Sequence, residues 1–197
     1  MENMETEVKF VVRNLNAIEQ RLHGLGAACV EPRRLEVNYR FDTPGGDLKN
    51  AQRVLRLRQC GDTILTFKGA SEARDGVLSR QEIEVKVDDL SQMRLVLEAL
   101  GYEVTFIYEK YRAVYALGGL HVMLDELPFG NFVEIEGEPA EIRGLSDRLG
   151  LAWQRAVPTG YAVLFDNARV DFDLPFRDLT FANFAGRAIR LPVEPAD

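Results

Sequence analysis

Polar and hydrophobic residues alternate along most of the chain, and this period of two predicts β-strands. The clearest case is METEVKF, where Glu5, Glu7 and Lys9 fall on one face of an extended chain. Val8 and Phe10 fall on the opposite face. Eight such segments are separated by turns marked with glycine, proline or aspartate, which suggests sequential antiparallel strands in a closed or nearly closed barrel. The predicted strands cover residues 4–13, 35–41, 53–59, 63–68, 80–87, 104–116, 120–127 and 132–137.

Apolar residues at helical spacing interrupt the strands and predict helices, which places the chain in the α+β class. In the first helix, Leu15, Ile18 and Leu22 form one apolar stripe. Asn14 is its expected N-cap, and Gly26 follows its end. Because each helix has one apolar stripe and each strand one apolar face, the helices must pack on the apolar face of the sheet. The predicted helices cover residues 15–25, 90–100, 140–149 and 160–167.

The polar faces of the strands carry charges that are sorted by sign. Three strands hold acids in E-x-E pairs, and others hold bases in R-x-R or K-x-R pairs. Such a face lies either in water or along the inside of the barrel. A solvated face tolerates any polar residue, whereas this one uses almost only charged residues. The pattern therefore favours an eight-stranded antiparallel barrel, a tunnel with a charged lumen and helices packed outside.

The composition is that of an ordinary soluble domain. The chain has 197 residues and a formal net charge of −7, which argues against a general nucleic-acid coat but not against an anion bound by a local cluster of bases. No apolar run is long enough to span a bilayer, and the acidic N-terminus lacks an apolar signal region. Two cysteines are too few for a disulfide framework. We therefore expect a cytoplasmic protein, monomeric or homodimeric, without nucleic-acid or membrane partners.

The charged face combines the two residue types that bind a polyphosphate together with a metal ion. Carboxylates bind hard divalent cations, whereas Arg and Lys bind phosphate oxygens. Neither a P-loop nor a glycine-rich dinucleotide motif is present. The bases expected to bind phosphate are Lys9, Arg56, Arg58, Lys68, Arg80, Lys110 and Arg112. The acids expected to hold metal are Glu5, Glu7, Glu82, Glu84, Asp125, Glu134 and Glu136.

Several short motifs follow one another along the chain. ETEVK at residues 5–9 has the form E-x-E-x-K. The others are NYRFDTP (38–44), LRLR (55–58), FKG (67–69), RQEIE (80–84), EKYR (109–112), LDELPFG (124–130) and VEIE (133–136). In this order the motifs resemble those of the CYTH superfamily, the triphosphate tunnel metalloenzymes. The resemblance implies a tunnel domain over residues 1–165 that binds a triphosphate and Mg²⁺ or Mn²⁺. Residues 166–197 lie beyond it, and we expect them to pack on the barrel or to be partly mobile.

This family groups class IV adenylyl cyclases, thiamine triphosphatases and inorganic triphosphatases, so the resemblance implies a choice of activities. In a triphosphatase, the bases clamp the phosphates and the acids hold one or two metal ions while water attacks the terminal phosphorus. The resemblance also suggests Lys9 and Tyr39 as a catalytic dyad that orients the nucleophile. In a cyclase, the ribose 3′-hydroxyl of ATP attacks the α-phosphorus and yields cAMP and pyrophosphate.

Hydrolysis needs no pocket specific for a base, and this favours a triphosphatase. We therefore expect a metal-dependent enzyme that hydrolyses inorganic triphosphate, thiamine triphosphate or a nucleoside triphosphate. A class IV adenylyl cyclase is the first alternative. The second is a non-catalytic polyphosphate or nucleotide sensor, although complete E-x-E pairs argue against a protein that only binds the anion.

Overall fold

The strands of the computed structural model form one antiparallel sheet that closes on itself. The structure describes residues 4–187, 189 and 191–197. The strands in these residues are β1 (Met4–Val12), β2 (Ala28–Asp42), β3 (Val54–Cys60), β4 (Asp62–Lys68), β5 (Glu72–Arg74), β6 (Val77–Val87), β7 (Glu103–Leu117), β8 (Leu120–Leu127) and β9 (Gly130–Glu136). The order β1-β9-β8-β7-β2-β3-β4-β6 returns to β1 through a β1–β6 pairing, whereas β5 pairs with β6. The predicted ring of eight antiparallel strands is confirmed, with β5 as an addition.

Four of the helices lie where they were predicted, and the short helix between β2 and β3 is an addition. The helices in the described residues are α1 (Leu15–Gly24), α2 (Asp47–Asn50), α3 (Leu90–Ala99), α4 (Pro139–Arg148) and α5 (Tyr161–Asp171), with a 3₁₀ turn at Trp153–Arg155. The side chain of Asn14 caps α1 by accepting a hydrogen bond from the Ala17 N–H at 3.2 Å. None of these helices, in the part of the chain that the structure describes, is long and apolar enough to cross a membrane.

Three helices cover the apolar outer face of the ring in two separate clusters. Helices α1 and α4 cover β1, β8 and β9, where Ile18 and Ile142 are fully buried in the same cluster as Phe10. Helix α3 covers another part of the ring, where Leu97 packs with Leu57 of β3. The predicted placement of the helices outside the sheet is therefore confirmed for these three.

Helix α5 instead packs against residues of the inner face. Its Phe165 is fully buried next to Phe106 of β7, with ring centroids 5.8 Å apart. The chain that follows covers this helix, because the rings of Phe176 and Phe184 both contact Phe165. The backbone of Leu179 then hydrogen-bonds to the backbone of β7. The expected domain boundary after residue 165 falls within α5, so the ring and the C-terminal extension share one helix.

The largest differences from the predicted strands lie in two parts of the sheet. Strand β2 begins at Ala28 rather than at residue 35, and its pairing with β7 shifts register between Cys29 and Glu31 and again between Glu31 and Arg34. Such irregularities break the period of two on which the prediction depends. Strand β5 contains three residues, which are too few for any period to be visible.

Candidate active site

The inner face of the ring encloses a cavity of about 970 Å³. Alternation along β1 sends Glu7 and Lys9 into this cavity and Phe10 into the outer apolar cluster. Strand β7 likewise sends Lys110 and Arg112 inward. The charged face therefore lies inside the ring, as the sorting of its charges predicted, and not in solvent.

All seven bases that the sequence singled out line this cavity, and each forms an ion pair with a carboxylate. The Nζ atom of Lys9 lies 2.7 Å from a carboxylate oxygen of Glu134, and that of Lys68 lies 2.8 Å from Glu5. Burial disfavours the charge of Lys9, but Glu134 and Glu7 outweigh it and raise the pKa of Lys9 above its usual value. The paired carboxylates thus keep Lys9 charged, and ion pairs of the same kind hold the other bases in position inside the ring.

Six of the seven predicted acids line the cavity, whereas Asp125 lies behind its wall. Asp125 is fully buried and accepts hydrogen bonds from Lys110 Nζ at 3.0 Å and from Arg112 Nε at 2.6 Å. Its Oδ2 atom also accepts from the Tyr161 hydroxyl at 2.8 Å. Asp125 therefore connects two of the bases to α5. The acids at the cavity are Glu5, Glu7, Glu82, Glu84, Glu134 and Glu136.

Four of these acids form a group that we call the carboxylate corner: Glu5, Glu7, Glu82 and Glu136. Glu7 and Glu136 are register partners, and Lys68 contacts both Glu5 and Glu82. Burial opposes the charge of Glu5, but Lys68 and Arg80 lower its pKa to about 2. Burial raises the pKa of Glu82 to about 7, with Lys68 opposing and Glu5 adding to the rise. Burial and the charges of Glu5 and Glu7 also raise the pKa of Glu136.

The carboxylate corner has the chemistry that Mg²⁺ or Mn²⁺ requires. Carboxylate oxygens suit both ions, and Mg²⁺ usually takes only one or two carboxylates and completes its shell with water and phosphate oxygens. Burial is the largest cause of the raised pKa values of Glu82 and Glu136, and neighbouring carboxylates add to it. A divalent cation would favour the ionised form of both groups. Within the described residues, no three His, Cys, Asp or Glu side chains already converge as a coordination shell. The corner thus supplies suitable donors rather than a preformed site.

The structure places Tyr39 on the opposite face of the sheet from Lys9. Because Arg40 lines the cavity, its neighbour Tyr39 points outward, where it packs in the cluster of Leu97 under α3. The tyrosine beside Lys9 is Tyr161, whose ring centroid lies 4.4 Å from the lysine Nζ. The expected Lys9–Tyr39 pair is therefore not formed, since strand alternation separates its members.

The position of Tyr39 leads to a prediction for catalysis. We expect Tyr39→Phe to leave kcat for a triphosphate substrate within about twofold of the wild-type value, because the lost hydroxyl lies outside the ring. The measurement is steady-state phosphate release with Mg²⁺. Tyr161→Phe, which removes a hydroxyl inside the ring, is the matched variant. A decrease in kcat of tenfold or more in Tyr39→Phe but not in Tyr161→Phe would contradict this expectation and support a catalytic role for the Tyr39 hydroxyl.

Several residues of the inner face were not among the predicted site residues, and three of them matter most for the network of charges: Glu36, Arg40 and Tyr161. Glu36 is almost fully buried and lies within ion-pair distance of Lys110 and Arg58, at 3.6 and 3.5 Å. Glu36 and Arg40 lie an even number of positions apart within one predicted strand, so the alternation already placed them on one face. Tyr161 is remote in sequence from its neighbours in the ring, and no local pattern marks it.

Glu36 also leads to a prediction for stability against pH. Burial opposes its charge, but Lys110, Arg112 and Arg58 lower its pKa from 4.5 to about 2. Since the pKa is lower in the folded protein than in the unfolded chain, ionised Glu36 stabilises the fold fully above about pH 4.5, and this contribution is lost as the pH falls towards 2. We expect the free energy of unfolding at pH 7 to be about 3 kcal/mol lower in Glu36→Gln than in the wild type.

Urea unfolding of both proteins at pH 7, 4.5 and 3 checks this expectation. The difference between them should shrink as the pH falls. Glu98→Gln is the control, because Glu98 forms an exposed pair with Arg94 on α3 and such pairs contribute little. A difference that stays constant down to pH 3 would mean that the charge of Glu36 does not stabilise the fold.

Comparison with known proteins identifies the family. A family model described as a CYTH domain matches residues 3–155. A Methanocaldococcus jannaschii protein, provisionally named an adenylate cyclase, is 27% identical over 141 residues, which are 71% of this chain and 79% of the relative. A Vibrio parahaemolyticus structure with the same provisional name aligns over 84% of this chain and 99% of its own, with 23% identity and a TM-score of 0.74.

A third similar protein comes from Hippeastrum. It is provisionally named an adenylyl cyclase, and its structure is described as revealing a dominant triphosphatase activity. It aligns over 96% of this chain and 100% of its own, with 22% identity and a TM-score of 0.61. With a family model that spans most of its length and the closed antiparallel ring described above, this chain belongs to the CYTH domain family.

Proposed function

We propose that this protein is a metal-dependent triphosphatase that hydrolyses the terminal phosphate of a triphosphate inside the ring. The observation that carries the proposal is the sorting of charge within one cavity, where seven bases and the carboxylate corner face the same space. A triphosphate that carries a metal ion needs bases for its phosphates and carboxylates for the metal, and both must lie within the length of the triphosphate. Membership of the CYTH family supports the proposal, as does the triphosphatase activity attributed to the Hippeastrum protein.

In this proposal the bases bind the phosphate chain and stabilise the charge of the transition state. Arg56 and Arg80 offer guanidinium groups, which match two phosphoryl oxygens at once. Arg56 is already oriented by the hydroxyl groups of Tyr108 at 3.2 Å and Thr66 at 3.3 Å. Donors that are fixed before the substrate arrives need little reorganisation during the reaction, and this is the main source of catalysis in phosphoryl transfer.

The carboxylate corner would hold Mg²⁺ or Mn²⁺, with Glu5 and Glu7 as its main ligands. When bound, the ion neutralises phosphate charge and makes a coordinated water more acidic. We assign a different role to the other three acids that the sequence singled out. Glu84, Asp125 and Glu134 each contact bases of the cavity wall, and we infer that they position those bases rather than the metal.

The chain's own side chains would position the phosphates and take no covalent part in the reaction. Burial disfavours the charge of Arg112, but Asp125 and Glu134 outweigh it and hold the pKa of Arg112 well above its usual value. Lys9 stays protonated for the same reason. Cations that cannot lose their proton stabilise negative charge on phosphoryl oxygens throughout the in-line attack of water.

A class IV adenylyl cyclase is the second candidate, and the name of the M. jannaschii relative favours it. The same bases and carboxylates would serve this reaction, because only the attacking oxygen and the phosphorus that it attacks would change. The cavity of about 970 Å³ is near the upper end of the range for small-molecule pockets. It therefore has room for a nucleoside beside the phosphate chain.

A product assay tests the proposal and separates it from the alternatives. Purified protein is incubated with ATP, inorganic triphosphate or thiamine triphosphate, each with Mg²⁺ or Mn²⁺, and the products are separated by chromatography. Orthophosphate with the corresponding diphosphate supports the triphosphatase, and the fastest substrate identifies its specificity. Cyclic AMP with pyrophosphate from ATP would establish the cyclase instead. Tight binding of triphosphate without any product would point to a sensor.

A further inference from the structure

Arg40 is a half-buried arginine of β2 that lines the cavity beside the seven predicted bases. In strand register it lies opposite Arg56 of β3 on one side and Phe106 of β7 on the other. Both neighbours also line the cavity. The guanidinium of Arg40 is therefore part of the inner wall, at a position where two arginines of adjacent strands meet.

Unlike the seven bases, Arg40 has no ion pair or side-chain hydrogen bond within the part of the chain that the structure describes. The nearest inward carboxylate on the same strand, Asp42, already accepts hydrogen bonds from three backbone N–H groups at or near the start of α2. The preceding inward residue, Asn38, is fully buried, and neither polar atom of its amide has a partner among the described residues. This stretch of β2 thus carries polar groups that no described residue satisfies.

On balance, the surroundings of Arg40 disfavour its charge. Burial is the largest cause that lowers the pKa of Arg40, and the guanidinium groups of Arg56 and Arg80 lower it further, whereas Tyr108 and Asp42 oppose the fall. A cation that is partly desolvated among other cations lowers the stability of the folded state. Asp42 supplies only part of the countercharge, because backbone N–H groups already engage it. Phosphate oxygens placed between these three arginines would supply the rest.

We propose that Arg40 binds phosphate oxygens of the triphosphate, so that the phosphate chain is held from β2 as well as from β3 and β6. The inference rests on the proposed function and deepens it, because it adds an eighth base to the phosphate site. The proposal gives Arg40 two opposite effects. Its side chain lowers the stability of the ligand-free protein and raises the affinity of the ring for a polyanion.

The test measures binding and stability in the same variants. Arg40→Met removes the charge and keeps an unbranched side chain, whereas Arg94→Met removes a guanidinium from the outer surface of α3, where it pairs with Glu98. The ligand is the analogue of inorganic triphosphate with nitrogen-bridged phosphorus atoms, titrated calorimetrically in Mg²⁺ so that no turnover interferes. We expect Arg40→Met to raise the Kd by about tenfold or more, and Arg94→Met to leave it unchanged. The Tm of ligand-free Arg40→Met should equal or exceed that of the wild type.

The outcomes separate this inference from the proposed function. If Arg40→Met and the wild type bind the analogue equally well, the role of Arg40 is refuted while the proposed function stands. If ligand-free Arg40→Met melts well below the wild type, Arg40 is a structural residue and the inference is likewise refuted. If the wild type does not bind the analogue at all, the proposed function fails and the role of Arg40 fails with it.

Discussion

Replacing Glu5 and Glu7 together by glutamine is expected to lower kcat for triphosphate hydrolysis by about a thousandfold. The two residues are the proposed main ligands of the metal, and glutamine keeps their size while it removes two negative charges from the carboxylate corner. A catalytic metal ion stabilises the transition state by several kcal/mol, and each ~1.4 kcal/mol corresponds to a factor of ten in rate. Loss of metal binding therefore accounts for the size of the effect.

Phosphate release at saturating substrate, measured over a range of Mg²⁺ concentrations, checks this prediction. Glu126→Gln is the control, because Glu126 pairs with Arg33 outside the cavity, where 38% of its side chain is exposed. Glu5 also pairs with Lys68 and Arg80, so circular dichroism must first show that the double variant is folded. A folded double variant that retains wild-type kcat at every Mg²⁺ concentration would remove the carboxylate corner from the mechanism.

Asp125→Asn is expected to lower the free energy of unfolding by about 3 kcal/mol or more, the usual cost of removing one partner from a buried ion pair. Asp125 is fully buried and accepts hydrogen bonds from Lys110, Arg112 and Tyr161. Without its charge, two bases remain inside the ring with less compensation, and the neutral amide can accept fewer hydrogen bonds. The contact that joins α5 to the inner wall weakens at the same time.

Urea unfolding at pH 7 measures this effect. Asp62→Asn is the matched control, because Asp62 pairs with Lys86 at 2.8 Å and both side chains are mostly exposed. Exposed pairs of this kind contribute at most about 1 kcal/mol. Equal stability of the two variants would contradict the role of Asp125 as the residue that fixes these bases.

The ring could be predicted from the sequence because the alternation is strict where both faces of the strands are covered. On β1, Phe10 packs against helices and Lys9 faces the cavity, so each face selects one class of residue. The same rule assigned the seven bases to one face. It could not give the full extent of β2, because register shifts near Glu31 interrupt the period.

Tyr39 shows where resemblance and alternation disagree. The family resemblance suggested Tyr39 as the partner of Lys9, yet Tyr39 is out of phase with Glu36 and Arg40 on the same strand. The structure follows the phase of the strand, because a one-residue change of register would move every side chain to the other face. Glu36 and Arg40 could have been included in the site on this ground alone.

Tyr161 could not be predicted from any local pattern. It reaches Lys9 and Asp125 only because α5 packs against the inner face of the ring. Alternation on the strands gives no information about which helix enters the ring or covers it from outside. Such contacts between segments that are distant in sequence are set by tertiary packing.

The central claim, that the charged cavity hydrolyses a triphosphate with the help of a divalent cation, is tested most directly by ³¹P NMR. Inorganic triphosphate is incubated with the wild-type protein and Mg²⁺, with the wild type and EDTA, and with Glu5→Gln/Glu7→Gln and Mg²⁺. We predict that only the first sample loses the triphosphate signals and gains orthophosphate and pyrophosphate in equal amounts. An unchanged triphosphate spectrum in the first sample, or equal hydrolysis in all three, would contradict the claim.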